Sequence, residues 1–222
     1  MMTIKGKYNS AHVMIDEIDG TTREQIQSFL DHPAFADTYI AVMPDCHAGK
    51  GAVIGLTMRM NGYIIPNVVG VDIGCGMLSA RFDTRSVDYE KLDRFIKDKI
   101  PSGFNINRSH SHVAGIQGDE VADVCDRIGT DSNKALRAIG SLGGGNHFIE
   151  AGHDSTGGLW VTIHSGSRNF GMKVATFHQR KAREFSLRNG QKGQHDLEYM
   201  TVGSAECGDY LHDLFVAQRF AS

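Results

Sequence analysis

Four residues of this chain have the chemistry of metal ligands and sit in glycine-rich loops. Asp72 and Cys75 stand three residues apart in GVDIGCG (70–76). His147 lies in GGGNHF (143–148), and His164 opens HSGSRNFG (164–171). Thiolate, imidazole and carboxylate together suit a divalent transition ion such as zinc, manganese, iron or cobalt. A cysteine sulfur can bridge two ions, with Asp72 near enough to reach the second. A tight turn would use the glycines but needs neither acid nor thiol. A lone histidine or cysteine is more often a structural residue. The gathering of four in such loops favours a metal site.

Other residues add phosphate chemistry. Arg168, with Ser165 and Ser167, stands at a predicted helix N-terminus. Helix dipole, free N–H groups and guanidinium make an anion site there, unless Arg168 pairs with a nearby acid. GGGN (143–146) lets the backbone approach a phosphate closely, with Asn146 able to donate to it. In MPDCHAGKG (43–51), Asp45 and His47 suit proton transfer or ligation, or else a hydrogen bond that stiffens the loop. Lys50 and Arg59 read as solvated surface, with polyanion contact as the alternative. Cys46, Cys125 and Cys207 read as structural. No P-loop, dinucleotide fingerprint or zinc finger is present, and HSGSR lacks the GxSxG frame of a serine hydrolase.

The elements that must position these loops follow from periodicity and caps. Thr21 and Glu24 form a capping-box pattern before Ile26, Phe29 and Leu30, and Pro33 stops that helix. Residues 38–43 and 52–60 read as strands with PDCHAGKG as the loop between them. MLSARF continues GVDIGCG as a strand. Asp88 caps a helix with Leu92, Phe95 and Ile96 on its buried face. Residues 101–131, with His110 and His112, show no clear period and read as a linker or lid. A short helix is predicted near 132–140. LWVTIH (159–164) reads as a buried strand, and a long polar helix runs from HSGSRNFG to about 188. RNGQKGQHD reads as a loop. From Ser204, Tyr210, Leu211, Leu214, Phe215 and Phe220 mark a last amphipathic helix. It runs to Ser222 without a C-cap glycine, which suggests a chain cut inside a larger fold.

Composition sets the bounds. The 222 residues are 41% hydrophobic and 22% charged, a globular profile long enough for a real core. A net charge of −3 means that any nucleic-acid partner needs a local basic patch. No 18-residue apolar run exists, so no membrane span is expected. The N-terminus lacks a signal peptide's apolar stretch, and the four cysteines are irregularly spaced. Reduced thiols in a cytoplasmic protein are the expectation.

Taken together, the four loops resemble the RtcB family of RNA-splicing ligases. MPDCHAGKGAVIG looks like the family's PD-x-H-x-G segment, VGVDIGCGM its most recognisable motif, and GGGNHFIE and HSGSRNFG follow in the family's order. The resemblance covers most of the chain. It implies an α+β fold, with mixed β-sheets flanked by helices, in which residues 1–222 form the N-terminal part of a single catalytic domain. It implies an enzyme that joins an RNA 3′-phosphate or 2′,3′-cyclic phosphate to a 5′-hydroxyl, as in tRNA splicing or RNA repair, using GTP and two manganese ions. Cys75 would bridge both ions, His147 and His164 would complete the ligands of one, and Asp72 would bind the other. Asn146 would contact the nucleotide phosphate, Glu150 the guanine, and Arg168 an RNA or nucleotide phosphate. Asp45 and His47, in the PD-x-H segment, join the catalytic candidates. The family's guanylylated histidine, and a further histidine ligand of the second ion, lie in its C-terminal half. His178, His195 and His212 do not match their contexts. A metal- and phosphate-binding module without ligase activity and a metal-dependent phosphohydrolase are the alternatives.

Overall fold

The computed structural model describes residues 1–49, 51–59, 61–84, 86–109, 117–191 and 196–222. In chain order the first elements are β1 (Met2–Lys5), β2 (Ser10–Val13), α1 (Gly20–Leu30), β3 (Ile40–His47), β4 (Ile54–Met58), β5 (Tyr63–Ile64) and α2 (Pro66–Val69). Then come β6 (Gly76–Phe82), α3 (Tyr89–Lys99), α4 (Gly118–Ile128), α5 (Ser132–Ala138), β7 (Phe148–His153) and β8 (Leu159–Ser165). The last are α6 (Arg168–Arg188), β9 (Met200–Thr201) and α7 (Ala205–Ala221). The fold is α+β, as expected. Two compact units divide it: Met1–Val71 with Ala175–His212, and Asp72–Val174 with Asp213–Ser222.

The first unit is built on a mixed sheet of order β1-β2-β3-β4. β2 and β3 are parallel, so the chain must cross over between them, and α1 is that crossover. Ile26, Phe29 and Leu30 of α1 form one core with Ile4, Val13, Ile40 and Val42 of the strands. Burying side chains of this size contributes about 1.5–3 kcal/mol each. The helix starts two residues earlier than the capping-box reading gives. Its N-cap is Asp19, whose carboxylate accepts from Thr22 N at 2.9 Å. Thr21 therefore lies inside the first turn. PDCH belongs to β3 and not to the following loop, with a register irregularity between Val42 and His47.

The second unit carries a three-stranded antiparallel sheet of order β6-β8-β7. Met77, His164 and Phe148 share one row across it, and Leu78, Ile163 and Ile149 share the next. Alternation then puts His164, Thr162 and Glu150 on one face and an apolar set on the other. LWVTIH is the central strand, but only Leu159 is buried in it, at 4% exposure against 37% for Ile163. A central strand has both edges hydrogen-bonded, which does not require its faces to be covered. The same holds for α3. Asp88 caps it through Lys91 N at 2.9 Å, yet none of its residues is buried and Phe95 is exposed.

Within the stretch read as a linker or lid, α4 buries Val121, Val124 and Cys125. His110 and His112 lie outside the described residues, as do Lys50, His195 and part of RNGQKGQHD. In α7 the buried stripe is Cys207, Tyr210, Asp213, Val216, Ala217 and Phe220, while Leu211 and Phe215 are exposed. The apolar residues read from sequence therefore span more than one face. All four cysteines are free thiols, and among the described residues no helix is long and apolar enough to cross a membrane.

Candidate metal centre

Strand order gathers the ligand candidates at one end of the second unit's sheet. Cys75 immediately precedes β6, His147 immediately precedes β7, and His164 is the penultimate residue of β8. β8 runs antiparallel to both neighbours, so two strand starts and one strand end coincide. Cys75, His147 and His164 offer ligand atoms that all lie within 4.8 Å of one another.

The GVDIGCG loop is held from both sides. Cys75 N donates to the Asp72 carbonyl at 3.1 Å, closing the turn, and Ser167 N donates to the Ile73 carbonyl at 3.3 Å. The latter bond ties the loop to HSGSRNFG. Ile73 is buried and anchors it. Gly166 leaves room for the Asp72 carboxylate, because a Cβ there would sit 2.4 Å from Oδ1.

His164 already has the arrangement of a ligand. Its Nδ1–H donates to the Gly76 carbonyl at 3.0 Å, leaving Nε2 at 3.6 Å from Cys75 Sγ. Two ligands of one tetrahedral ion, each about 2.0–2.3 Å from it, stand about 3.3–3.8 Å apart. The donor set and this spacing fit a divalent ion. His147 is nearly buried, edge-on to His164, with Nε2 at 3.1 Å from Asp72 Oδ2. Its Nδ1 lies 2.7 Å from Arg168 Nη2 and 3.1 Å from the Leu142 carbonyl oxygen.

Burial pushes the Cys75 thiol above its ordinary range, and the Asp72 carboxylate acts in the same direction. Ligation by Cys75 therefore needs a cation to stabilise the thiolate. Burial lowers the Arg168 pKa, with Asp72 and Cys75 opposing it.

Arg168 opens α6 with a left-handed backbone, φ 58°, that few residues besides glycine adopt. Its Nη1 donates to the Leu142 carbonyl, and Nε is buried with no hydrogen-bond partner among the described residues. An apolar cavity of about 290 Å³ adjoins it, lined by Ile100, Ile139, Leu142, Ile149, Ile163 and Phe220 among others. Gly143, with φ 84°, is the seat of the guanidinium: a Cβ there would lie 1.4 Å from Nη1. The close approach at this glycine is thus made by Arg168. Asn146 and Glu150 are exposed, Glu150 on the sheet face of His164.

Asp72, Cys75, His147, His164 and Arg168 thus meet in one unit. Asp45 and His47 belong to the other, on β3, and both are exposed. His47 Nδ1–H donates to the Asp45 main-chain carbonyl at 2.9 Å, a hydrogen bond within the segment. Sequence reasoning missed the Leu142 carbonyl and Gly166. A main-chain acceptor carries no side-chain signal, and Gly166 matters only through a contact with a residue 94 positions away (166 − 72).

Comparison with known proteins agrees with these motifs. The family model for "tRNA-splicing ligase RtcB" matches residues 25–130 and 121–222. RNA-splicing ligase RtcB of Escherichia coli K12 is 31% identical over 92% of this chain and 55% of its own length. RNA-splicing ligase RtcB1 from another Escherichia coli strain shows the same identity and coverage. RtcB2 of that strain is 28% identical over 71% of this chain and 42% of its own. The chain spans about half the length of these curated relatives. Four ordered glycine-rich loops, three of them meeting at one end of a sheet, and a family match over most of the sequence lead to one conclusion: the chain belongs to the tRNA-splicing ligase RtcB family.

Proposed function

We propose that this chain supplies the metal- and phosphate-binding part of an RNA ligase. The enzyme joins a 3′-phosphate or 2′,3′-cyclic phosphate end to a 5′-hydroxyl, with GTP and two Mn²⁺ ions, acting on tRNA halves or broken RNA. The observation that carries this reading is the cluster of Cys75, His147 and His164 at the converging strand ends, with Arg168 beside it. The relatives are named as RNA-splicing ligases, which supports the reaction class. Four free thiols are consistent with a reducing cytoplasm.

In this reading Cys75, His147 and His164 would hold one ion, and Asp72 with Cys75 would hold a second. Bound divalent ions stabilise the negative charge that builds on phosphoryl oxygens during transfer. Arg168 adds a guanidinium to the same oxygens, which favours bidentate phosphate contact. Asn146 donates its amide to the nucleotide phosphate, and the Glu150 carboxylate accepts from the guanine. His164 is fixed for ligation by its bond to Gly76, so its ring needs no rotation to bind. Asp45 and His47 are proposed to act with the RNA ends as proton carriers.

Fluorescence anisotropy with two RNA oligonucleotides, one ending in a 3′-phosphate and one in a 3′-hydroxyl, tests this in Mn²⁺ buffer. The 3′-phosphate RNA is expected to bind tighter, and Arg168→Met is expected to erase the difference. Equal binding of both RNAs by the unaltered chain would contradict the reading.

A further inference from the structure

Two histidines of the metal cluster are held in opposite ways. In His164 the proton is on Nδ1, donated to the Gly76 carbonyl, and Nε2 is free to bind a cation. In His147 two neighbours, Arg168 at Nδ1 and Asp72 at Nε2, favour the reverse, against the Leu142 carbonyl oxygen that also lies beside Nδ1. A guanidinium can only donate, so Arg168 Nη2 at 2.7 Å makes Nδ1 an acceptor. A neutral ring then carries its proton on Nε2, where Asp72 Oδ2 stands 3.1 Å away to receive it. Arg168, His147 and Asp72 form a chain of donors and acceptors that closes the ligand atom of His147 to a cation.

A cation on His147 Nε2 needs the lone pair of that nitrogen, so the ring proton must move to Nδ1. From there it has an acceptor in place, the Leu142 carbonyl oxygen at 3.1 Å. Nδ1–H and Arg168 Nη2 are both donors and cannot face each other. Leu142 also accepts from Arg168 Nη1 and from Ser165 Oγ at 3.2 Å. A proton on His147 Nδ1, donated to this oxygen, therefore competes with the seat of the guanidinium on Gly143.

We propose that the release of Arg168 to bind an oxyanion is coupled to metal occupancy through the tautomer of His147. Without the ion, the guanidinium is stowed against Leu142, Gly143 and His147. With the ion, the ring proton passes from Nε2 to Nδ1 by exchange with water, with no net gain or loss. Arg168 then leaves His147 and presents its donors to a tetrahedral oxyanion. Linkage makes the effect reciprocal: an oxyanion that holds Arg168 away from His147 tightens the ion. This order suits an enzyme that must not bind a phosphate before its metal is in place. The proposal rests on the metal reading given above.

Isothermal titration of the full chain with MnCl₂, with and without sodium sulfate as the oxyanion probe, tests it. Arg168→Met removes the donors and keeps the aliphatic stem. It is expected to bind Mn²⁺ tighter than the unaltered chain, on the order of tenfold, a usual size for such coupling. Sulfate is expected to tighten Mn²⁺ binding to the unaltered chain and not to Arg168→Met. Nitrogen-15 NMR of the imidazoles gives a readout that needs no variant. His147 is expected to change from Nε2–H to Nδ1–H on addition of Zn²⁺, a diamagnetic divalent ion, while His164 keeps Nδ1–H. Unchanged Mn²⁺ affinity in Arg168→Met, no sulfate effect, or Nδ1–H on His147 before metal is added would each overturn the coupling alone. An unaltered chain that binds no Mn²⁺ would instead sink the metal reading beneath it.

Discussion

Replacing Gly74 by alanine tests how tightly the loop that carries Asp72 and Cys75 is built. Gly74 has φ 71°, where a side chain costs about 1–2 kcal/mol. The added Cβ would lie 2.7 Å from Ala221 Cβ and 3.2 Å from Gln218 Cα. The first is roughly 0.8 Å inside carbon–carbon contact, and neither atom is the tip of a flexible side chain. Overpacking of this kind typically costs about 1–3 kcal/mol, for a total of about 2–5 kcal/mol. Gly76, on the other side of Cys75, is the control. A Cβ there meets only the Gly74 carbonyl oxygen, at 3.7 Å, and its φ is not left-handed. Gly76→Ala should change stability by less than about 0.5 kcal/mol. Ala221→Gly in the Gly74→Ala background should recover the part of the contact made by Ala221, at little helix cost because Ala221 is the last residue of α7, and leave the backbone part. Urea unfolding of the metal-free chain, followed by circular dichroism, measures all four proteins. Equal midpoints for Gly74→Ala and Gly76→Ala would refute the reasoning.

Two further outcomes follow from buried and exposed groups. Thiol labelling near pH 8 should modify Cys75 and Cys46 but spare Cys125 and Cys207. Cys125 is fully buried with its pKa pushed up to about 11, so only on the order of a thousandth is thiolate. Rapid labelling of Cys125 in the folded chain would contradict its burial. His32 is buried between Phe35 and Tyr199, and its Nδ1 accepts from Ala34 N at 3.2 Å. Burial lowers its pKa, so the unfolded chain binds the proton more readily than the fold does. Stability should therefore be unaffected by this group above its unfolded pKa, about 6.5, and should fall as pH drops below it. His32→Asn should flatten that part of the urea-midpoint profile between pH 7 and 5, and an unchanged slope would assign it to other groups.

Much of the candidate site was legible from the sequence because its residues fall in three glycine-rich loops. Cys75, His147 and His164 stand out by residue type, and glycine-rich loops next to strands are where reactive groups are commonly placed. Strand order was not legible, although it is what makes Cys75 and His147 neighbours of His164. Hydrophobic period identified the strands and helices but overstated their burial. Phe95 and Ile163 are apolar at the right spacing and are still exposed, because periodicity reports which face could be covered and not what covers it. α4 was missed in the 101–131 stretch although Val121, Val124 and Cys125 lie at helical spacing. Its N-cap, Gln117, makes no side-chain bond, so the usual start signal was absent. The roles of Gly143 and Gly166 depend on contacts with Arg168 and Asp72 that no local pattern encodes.

The central claim is that Cys75, His147 and His164 hold a divalent cation. Titrating the metal-free chain with Co²⁺ and recording its absorption spectrum tests this most directly, because a thiolate bound to cobalt gives a charge-transfer band that no other ligand type here produces. The unaltered chain should develop the band to saturation, Cys75→Ala should lose it, and His164→Ala should weaken binding. A Cys75→Ala spectrum identical to that of the unaltered chain, or no band in either, would contradict the claim.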